Sequence, residues 1–307
     1  MSCEQCQSDE EEFENSADIQ KVKKGGIYTI GGVLTNTKKQ LCTIKGISEA
    51  KVDKLKEAAI KLCGNGFLTA LEYGEKRRRV FKISTGSNEL DTILGGGIES
   101  MSITEFFGEF RTGKTQIVHT ICATCQIPGE DYEGGKALVL DTEGTFRPDR
   151  LRTIANRFDL DENEVLTNIA YRRVYNSEHL ATSIIEAAGE FYEERKIYKL
   201  LIIDSLTHPF RTDFCGRGEL ADRQQKLGQV LSKLQKVAED GFGSGRFQVD
   251  PKKPVGGHIL AHASTNRISL RKGRGETRIA KIYDSPDRAE NEAMFAITEG
   301  GVADAKE

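Results

Sequence analysis

A chain of 307 residues is long enough to bury one large core and a small second one. With 37% hydrophobic and 30% charged residues the composition is globular, and a formal charge of −3 excludes a uniformly basic surface, so any nucleic-acid contact must come from local clusters. No apolar run approaches the ~18–20 residues that cross a bilayer. The acidic N-terminus lacks a signal-peptide pattern, and the seven cysteines are scattered, so a cytosolic or nuclear protein with no membrane partner is expected.

The first fourteen residues hold six acids and no base, and residues 1–17 read as a disordered acidic tail. Residues 18–63 read as a small all-α domain. A short helix follows Thr37, a hairpin turn spans Thr43-Ile44-Lys45-Gly46-Ile47-Ser48, and Ser48 caps a second helix that repeats Val52, Leu55, Ala59 and Leu62 at helical spacing. Residues 64–84 read as a linker, with Phe67 and Leu68 as apolar anchors before the basic run Lys76-Arg77-Arg78-Arg79.

From 85 to 307 strands and helices alternate, the pattern of a parallel α/β sheet. Strands are predicted at 102–107, 136–141, 167–171, 199–204, 259–264, 266–270, 277–283 and 294–298, and helices near 114–125, 147–158, 177–196 and 217–240. Gly241-Phe242-Gly243-Ser244-Gly245-Arg246 reads as a glycine-rich connector. Two CxxC pairs, Cys3/Cys6 and Cys122/Cys125, lack the histidine or second-pair spacing of a zinc site; the second pair falls on a helix, where buried cysteines are ordinary.

One motif carries the chemistry. The predicted strand over 102–107 runs into Gly108-Glu109-Phe110-Arg111-Thr112-Gly113-Lys114-Thr115, and Lys114, Thr115 and Gln116 open a helix. Glycines let backbone N–H groups curl around phosphate oxygens, and the helix N-terminus adds partial positive charge. Lys114 would neutralise phosphate charge and Thr115 would ligate Mg²⁺ beside ATP. A second carboxylate is needed at a neighbouring strand tip, and the apolar run Lys199-Leu200-Leu201-Ile202-Ile203 ends in Asp204. Hydrolysis also needs a group to orient water. Asp141-Thr142-Glu143 follows another apolar strand; Glu143 is the candidate base and Asp141 its rival.

These blocks, with Phe67-Leu68-Thr69-Ala70, GEFRTGKTQ, DTEGTFRPDR, GRGEL and LRKGRGETRIAKIYDSP, resemble the eukaryotic and archaeal RecA-type recombinases from about residue 20 to the C-terminus. Gly95-Gly96-Gly97-Ile98-Glu99-Ser100, Gly256-Gly257-His258-Ile259-Leu260 and Arg267-Ile268-Ser269-Leu270 resemble the meiosis-specific branch. The resemblance implies a RecA-like P-loop ATPase core with a helix-hairpin-helix N-terminal domain. It also implies ATP-dependent self-assembly into a filament or ring on single-stranded DNA, pairing with duplex DNA, mediator proteins as partners, and a nuclear location.

Carried over by position, Arg150 resembles the residue that stacks on adenine. Asp284, with Ser285 and Pro286, resembles a cap on the nucleotide of a neighbouring protomer, and His262 resembles a reader of its γ-phosphate. Phe67 and Ala70 match a strand that inserts into the next subunit; without the resemblance, packing on its own domain is the simpler reading of Phe67. Arg211, Arg217 and Arg223 match the first DNA-binding loop. Arg271, Lys272 and Arg274 form a basic turn that suits duplex DNA or plain solvent exposure, and Lys45, Gly46, Lys51 and Lys54 match the hairpin's phosphate contacts.

The chain also departs from that family. Where the family has an apolar interior strand followed by a long second DNA-binding loop, this sequence has only Gly241 to Arg246, and no apolar strand is predicted between Val237 and Val255. A lost interior strand would orphan ladder hydrogen bonds at ~1–3 kcal/mol each, against a typical stability of ~5–15 kcal/mol. Weak nucleotide binding or poor folding, and impaired strand exchange, are therefore expected. Thr207-His208-Pro209 replaces small and apolar residues, which pushes His208 towards extended geometry, and the N-terminal domain looks shortened before residue 20. Two function classes follow: a DNA-dependent ATPase and recombinase, or a non-catalytic protomer that docks on or caps filaments. A metabolic P-loop kinase does not account for the helix-hairpin-helix.

Overall fold

The computed structural model describes residues 16–63, 67–129, 132–194, 197–216, 218–239, 244–249 and 257–305. They fall into two compact units that part between Arg78 and Arg79.

The first unit is helical: α1 (Ser16–Lys24), α2 (Ile30–Thr35), α3 (Lys38–Cys42), α4 (Glu49–Cys63) and α5 (Ala70–Arg77). Local capping sets the starts. The Thr29 hydroxyl accepts the Gly32 N–H at 2.8 Å, and Thr37 and Gln40 form a reciprocal capping box at the head of α3. Gly46 turns the chain at φ +87, a conformation that favours glycine, and so permits the tight connection between α3 and α4. Val22, Val33, Leu41, Ile47, Val52, Leu55 and Ala59 close over one another as its core.

Two expectations are corrected here. Residues 16 and 17, assigned to the acidic tail, already belong to α1; residues 1–15 lie outside the described residues, as does the Cys3/Cys6 pair. Of the span 64–84, read as a linker, Ala70–Arg77 form a helix, so Ala70 is not in a strand. Thr69 and Glu72 cap each other, with Thr69 N–H donating to the Glu72 carboxylate at 2.7 Å and Glu72 N–H to the Thr69 hydroxyl at 3.2 Å, so Ala70 opens a helix.

The second unit begins with β1 (Lys82–Ile83), which pairs antiparallel with β2 (Ile98–Glu99) around α6 (Asn88–Ile93). Then come β3 (Ile103–Gly108), α7 (Lys114–Thr124), β4 (Lys136–Asp141), α8 (Pro148–Arg157), α9 (Glu162–Thr167), β5 (Ile169–Arg173), α10 (Ser177–Glu193) and β6 (Tyr198–Asp204). The remainder is α11 (His208–Asp213), α12 (Leu220–Glu239), β7 (Ser244–Val249), α13 (Gly257–Ala263), β8 (Asn266–Lys272), β9 (Thr277–Asp284), β10 (Glu292–Thr298) and β11 (Gly301–Asp304). Nine strands form one sheet in the order β11-β10-β9-β8-β3-β7-β6-β4-β5. From β8 to β5 all neighbours are parallel, and β9, β10 and β11 extend the sheet antiparallel.

Helices on both faces explain why β4 and β6 read as unbroken apolar runs. Ile117, Ile121, Leu151, Ile154 and Val165 from α7, α8 and α9 cover one face. Leu180, Ile184, Phe191, Leu227, Leu231, Leu234 and Leu260 from α10, α12 and α13 cover the other. Each such fully buried side chain contributes roughly 1.5–3 kcal/mol. One ion pair lies within the second face: Arg267 on β8 donates to Glu105 on β3 at 2.7 Å, and both side chains are buried.

The expected gap in the sheet is not there. Ser244-Gly245-Arg246, read as the end of a glycine-rich connector, opens strand β7 (Ser244–Val249), which pairs parallel with β3 on one side and β6 on the other. The place between β3 and β6 offers two ladders of backbone donors and acceptors, and a segment of the right length satisfies both whatever its side-chain pattern. Ladder bonds are therefore not orphaned, and the argument for poor folding falls with the gap. A second error concerns 259–264, which is helix α13 rather than a strand: Leu260 and Ala263 are buried three residues apart while His262 is exposed. Finally, His208 is not extended. It begins α11, where Pro209 sits in the first turn and its missing N–H costs nothing.

Candidate nucleotide-binding and hydrolytic site

In a parallel sheet every strand delivers its C-terminal end to the same edge, so the residues that follow β3, β4 and β6 meet there. After β3 the chain takes three left-handed or unusual backbone conformations, at Gly108 (φ 157), Arg111 (φ 63) and Gly113 (φ 101), and curls into a loop that feeds α7. A Cβ on Gly108 would stand 2.2 Å from the Leu270 carbonyl oxygen, so no larger residue fits. Lys114 Nζ donates to the carbonyls of Gly108 and Glu109, each at 2.8 Å, and the Thr112 hydroxyl donates to Glu109 O at 2.8 Å. Glu109, Phe110 and Arg111 form the outer rim, and Phe110 and Arg111 are exposed.

At the first turn of α7 the Thr115 hydroxyl donates to Asp204 Oδ2 at 3.1 Å. Burial pushes the Asp204 carboxyl up to about 7; the charge of Glu143 adds to this, while the Thr115 hydrogen bond and the Lys114 ammonium oppose it. A hydroxyl and a carboxylate side by side are hard oxygen donors that fit Mg²⁺, and the loop before α7 is a concave run of backbone that fits phosphate.

The tips of β4 and β6 are laced together. Thr142 N–H donates to Asp204 O at 2.8 Å, Ser205 N–H to the Thr142 hydroxyl at 2.8 Å, and that hydroxyl to Ser205 O at 2.8 Å. The Ser205 hydroxyl in turn donates to Glu143 Oε1 at 2.7 Å, leaving the exposed Glu143 side chain fixed beside Asp204. Asp141, the alternative base, is committed elsewhere. It accepts the N–H groups of Glu143 at 2.9 Å, Gly144 at 2.6 Å and Phe146 at 3.2 Å, the Tyr171 hydroxyl at 3.2 Å and Arg173 at 3.3 Å. A carboxylate with five donors orders the loop; it is poorly placed to take a proton.

Arg150 on α8 reaches the same helix: its Nε donates to Gln116 Oε1 at 2.9 Å, and its two terminal nitrogens hold the carbonyls of Thr298 and Glu299 at the β10–β11 turn. Three other candidates lie at the opposite edge. His262 is in the last turn of α13, just before Thr265 N–H meets Ile103 O at the start of β3. Asp284 pairs in register with Arg267 at the start of β8, and Ser285 donates to Asn266 at 2.7 Å, with Pro286 exposed next to it. One chain therefore does not bring His262, Asp284 or Pro286 to its own Lys114.

The candidate DNA contacts are spread. Arg211 is exposed on α11, Arg223 is half-buried in the first turn of α12, and Arg217 lies outside the described residues. Lys272 and Arg274 are exposed at the β8–β9 turn, where Arg271 is paired with Glu292 at 2.8 Å. Lys45 stands exposed beside Gly46, whereas Lys51 is tied to Asp18 at 2.6 Å. Phe67 and Ala70 are both exposed, so Phe67 does not pack on its own domain. Cys122 and Cys125 are buried on and at the end of α7. Sequence reasoning missed three neighbours of the site: Ser205, His119 and Gln248, whose backbone pairs directly beside Asp204. Ser205 was readable in principle, since it follows Asp204; the other two depend on tertiary contacts.

A family model described as Rad51 matches residues 76–305. Meiotic recombination protein DMC1/LIM15 homolog of Homo sapiens is 61% identical over 308 residues, covering 95% of this chain and 91% of that protein. The Mus musculus protein of the same name is 60% identical over the same shares. Meiotic recombination protein DMC1 homolog B of Oryza sativa subsp. japonica is 50% identical over 331 residues, covering all of this chain and 96% of its own length. With a RecA-like α/β core behind a P-loop and a match of this extent, the chain belongs to the Rad51 family.

Proposed function

We propose that this chain is a DNA-dependent ATPase that assembles on single-stranded DNA and acts in meiotic recombination in the nucleus. The observation that carries the reading is the convergence of Lys114, Thr115, Asp204 and Glu143 at one sheet edge, with the Thr115–Asp204 and Glu143–Ser205 hydrogen bonds fixing it. ATP would bind along 108–116. Thr115 and Asp204 would hold Mg²⁺, which when bound supplies charge neutralisation at the phosphates. Lys114 balances phosphate charge, and Glu143 accepts the proton of the attacking water, oriented by Ser205.

Self-assembly is supported by the division of residues between edges. A nucleotide at Lys114 can meet His262, Asp284 and Pro286 only from a second copy stacked head to tail, and a heterologous contact of that kind builds rings or filaments. Exposed Phe67 and Ala70 would add to the same contact. Arg211, Arg217, Arg223, Arg271, Lys272, Arg274, Lys45 and Gly46 are the proposed DNA contacts, with Lys51 demoted by its ion pair. Recombination proteins named as meiotic DMC1 homologs support the meiotic assignment, and mediator proteins are proposed as partners from the family resemblance alone. The alternative is a non-catalytic protomer that docks on or caps filaments; strand β7, paired on both sides, weakens the broken-sheet argument for it and leaves the choice to the assay below. The few residues of sequence between Val249 and Gly257 still argue for slower strand exchange than the family resemblance implies.

The test is ATP hydrolysis by the full chain with and without single-stranded DNA, using Lys114→Ala as the control. Stimulated turnover that Lys114→Ala abolishes supports the reading. Nucleotide binding without turnover, or filament capping by a chain that never hydrolyses ATP, favours the non-catalytic protomer.

A further inference from the structure

One buried imidazole joins the P-loop helix to the loop that carries Glu143. His119 stands one turn after Thr115 on α7 and is 1% exposed. Its Nδ1–H donates to Thr115 O at 2.7 Å, and its Nε2 accepts the Arg147 N–H at 2.9 Å. These partners assign the neutral tautomer with the proton on Nδ1, because a second N–H would point at a backbone donor. Burial pushes the ring's pKa down to about 4, and the charges of Arg150 and Arg147 act the same way, against the Thr115 carbonyl and Asp141. The ring therefore stays neutral across the physiological range.

The imidazole also begins a stack. Its centroid lies 5.2 Å from that of Phe146, and Phe146 lies 5.1 Å from Tyr171, whose hydroxyl donates to Asp141. The segment from Glu143 to Arg147 is thus held at both ends. Asp141 gathers the N–H groups at its start, and His119 takes the N–H at its finish. Any buried imidazole needs partners for its ring nitrogens; here the two partners lie on the two segments that carry Thr115 and Glu143, so the ring ties those segments together.

We propose that His119 is a positioning residue for hydrolysis: by bridging Thr115 O to Arg147 N–H, it sets where Glu143 stands relative to the nucleotide-binding end of α7. This rests on the hydrolytic reading above. Residues that hold a reacting group in place act on turnover more than on affinity, and a shift of about 1 Å can cost ~100-fold in rate.

The experiment compares His119→Phe and His119→Gln with the wild-type full chain in DNA-stimulated ATP hydrolysis, nucleotide affinity and thermal melting. Phe keeps the stack and loses both hydrogen bonds; Gln returns an acceptor near the Nε2 position. The expected result for His119→Phe is a kcat lower by roughly 10–100-fold with nucleotide Kd changed less than about 2-fold. His119→Gln is expected to recover at least half of that loss on a logarithmic scale. Wild-type kcat in His119→Phe, or equal losses in kcat and affinity, overturns the proposal, as does a Gln variant no better than Phe. Should His119→Phe fail to fold, His119→Gln decides alone: lowered kcat at unchanged Kd supports the role, and parallel losses overturn it. A wild-type chain that binds ATP without hydrolysing it sinks the hydrolytic reading and this role together, whereas normal wild-type turnover matched by His119→Phe sinks the role alone.

Discussion

The Ser205 hydroxyl donates to Oε1 of Glu143 at 2.7 Å, across the tips of two neighbouring strands. The bond orients an exposed carboxylate without burying it, and it places Glu143 next to Asp204, whose carboxyl its charge helps to push up. Two adjacent acids with different environments suit different tasks: the buried one for a cation, the exposed one for a water proton.

Glu143→Gln keeps the hydrogen-bonding outline and removes the base. It is expected to bind nucleotide as the wild type does and to hydrolyse it ~100–10,000-fold more slowly. Ser205→Ala leaves the base but frees its orientation, and a drop of about 10-fold is expected. Phosphate release measured beside nucleotide affinity separates the two; a Glu143→Gln chain with ordinary turnover moves the base elsewhere.

The raised carboxyl of Asp204 makes stability depend on pH. In the unfolded chain Asp204 loses its proton near 3.8, and in the folded chain near 7. Between those values the folded state holds more protons, so the nucleotide-free protein loses stability as pH rises from about 4 to about 7. Asp204→Asn removes this cost. Its nucleotide-free melting temperature at pH 8 should exceed the wild type's by roughly 2–4 °C for each kcal/mol relieved, while Mg²⁺-dependent nucleotide binding is lost. A lower melting temperature for Asp204→Asn at pH 8 contradicts the account.

Strand β7 is tested through its backbone. Arg246→Pro removes an N–H from an interior strand and leaves a facing carbonyl unpaired, a cost of ~1–3 kcal/mol before steric conflict is added. Urea unfolding should show that loss or a failure to fold. A fully tolerated proline means that 244–249 is not an interior strand.

What the sequence made legible follows the range of each signal. That Gly108 to Lys114, Asp204 and Glu143 stand at strand ends on one sheet edge was readable because each lies within a few residues of its own strand, and an apolar run announces the strand. Strand β7 was not, because Ser244-Gly245-Arg246 has poor strand propensity and becomes a strand only through the two ladders on either side of it. The run Ile259-Leu260-Ala261-His262-Ala263-Ser264 is too short to separate helix from strand by pattern alone. His119 and Arg147 are 28 residues apart, and Glu143 and Ser205 are 62 apart, so neither bond leaves a trace in local spacing. The edge-to-edge separation of Lys114 from His262 and Asp284 needed the register of β8 and β9 to be seen.

Phe67 is fully exposed and makes no core contact in its own unit, so Phe67→Ala is expected to leave monomer stability within about 0.5 kcal/mol. Self-assembly should fall sharply. Sedimentation and thermal melting on the same sample check both halves; unchanged assembly removes Phe67 from the contact.

The central claim is that Thr115 and Asp204 hold the metal of a bound nucleotide while Glu143 stands over the same site. Anomalous diffraction from crystals grown with Mn²⁺ and a non-hydrolysable ATP analogue measures this directly. The account predicts one metal peak about 2.0–2.3 Å from Thr115 Oγ1, with the Asp204 carboxylate in contact directly or through one water. A nucleotide metal bound away from both residues, or Glu143 turned to the far side of the sheet, contradicts it.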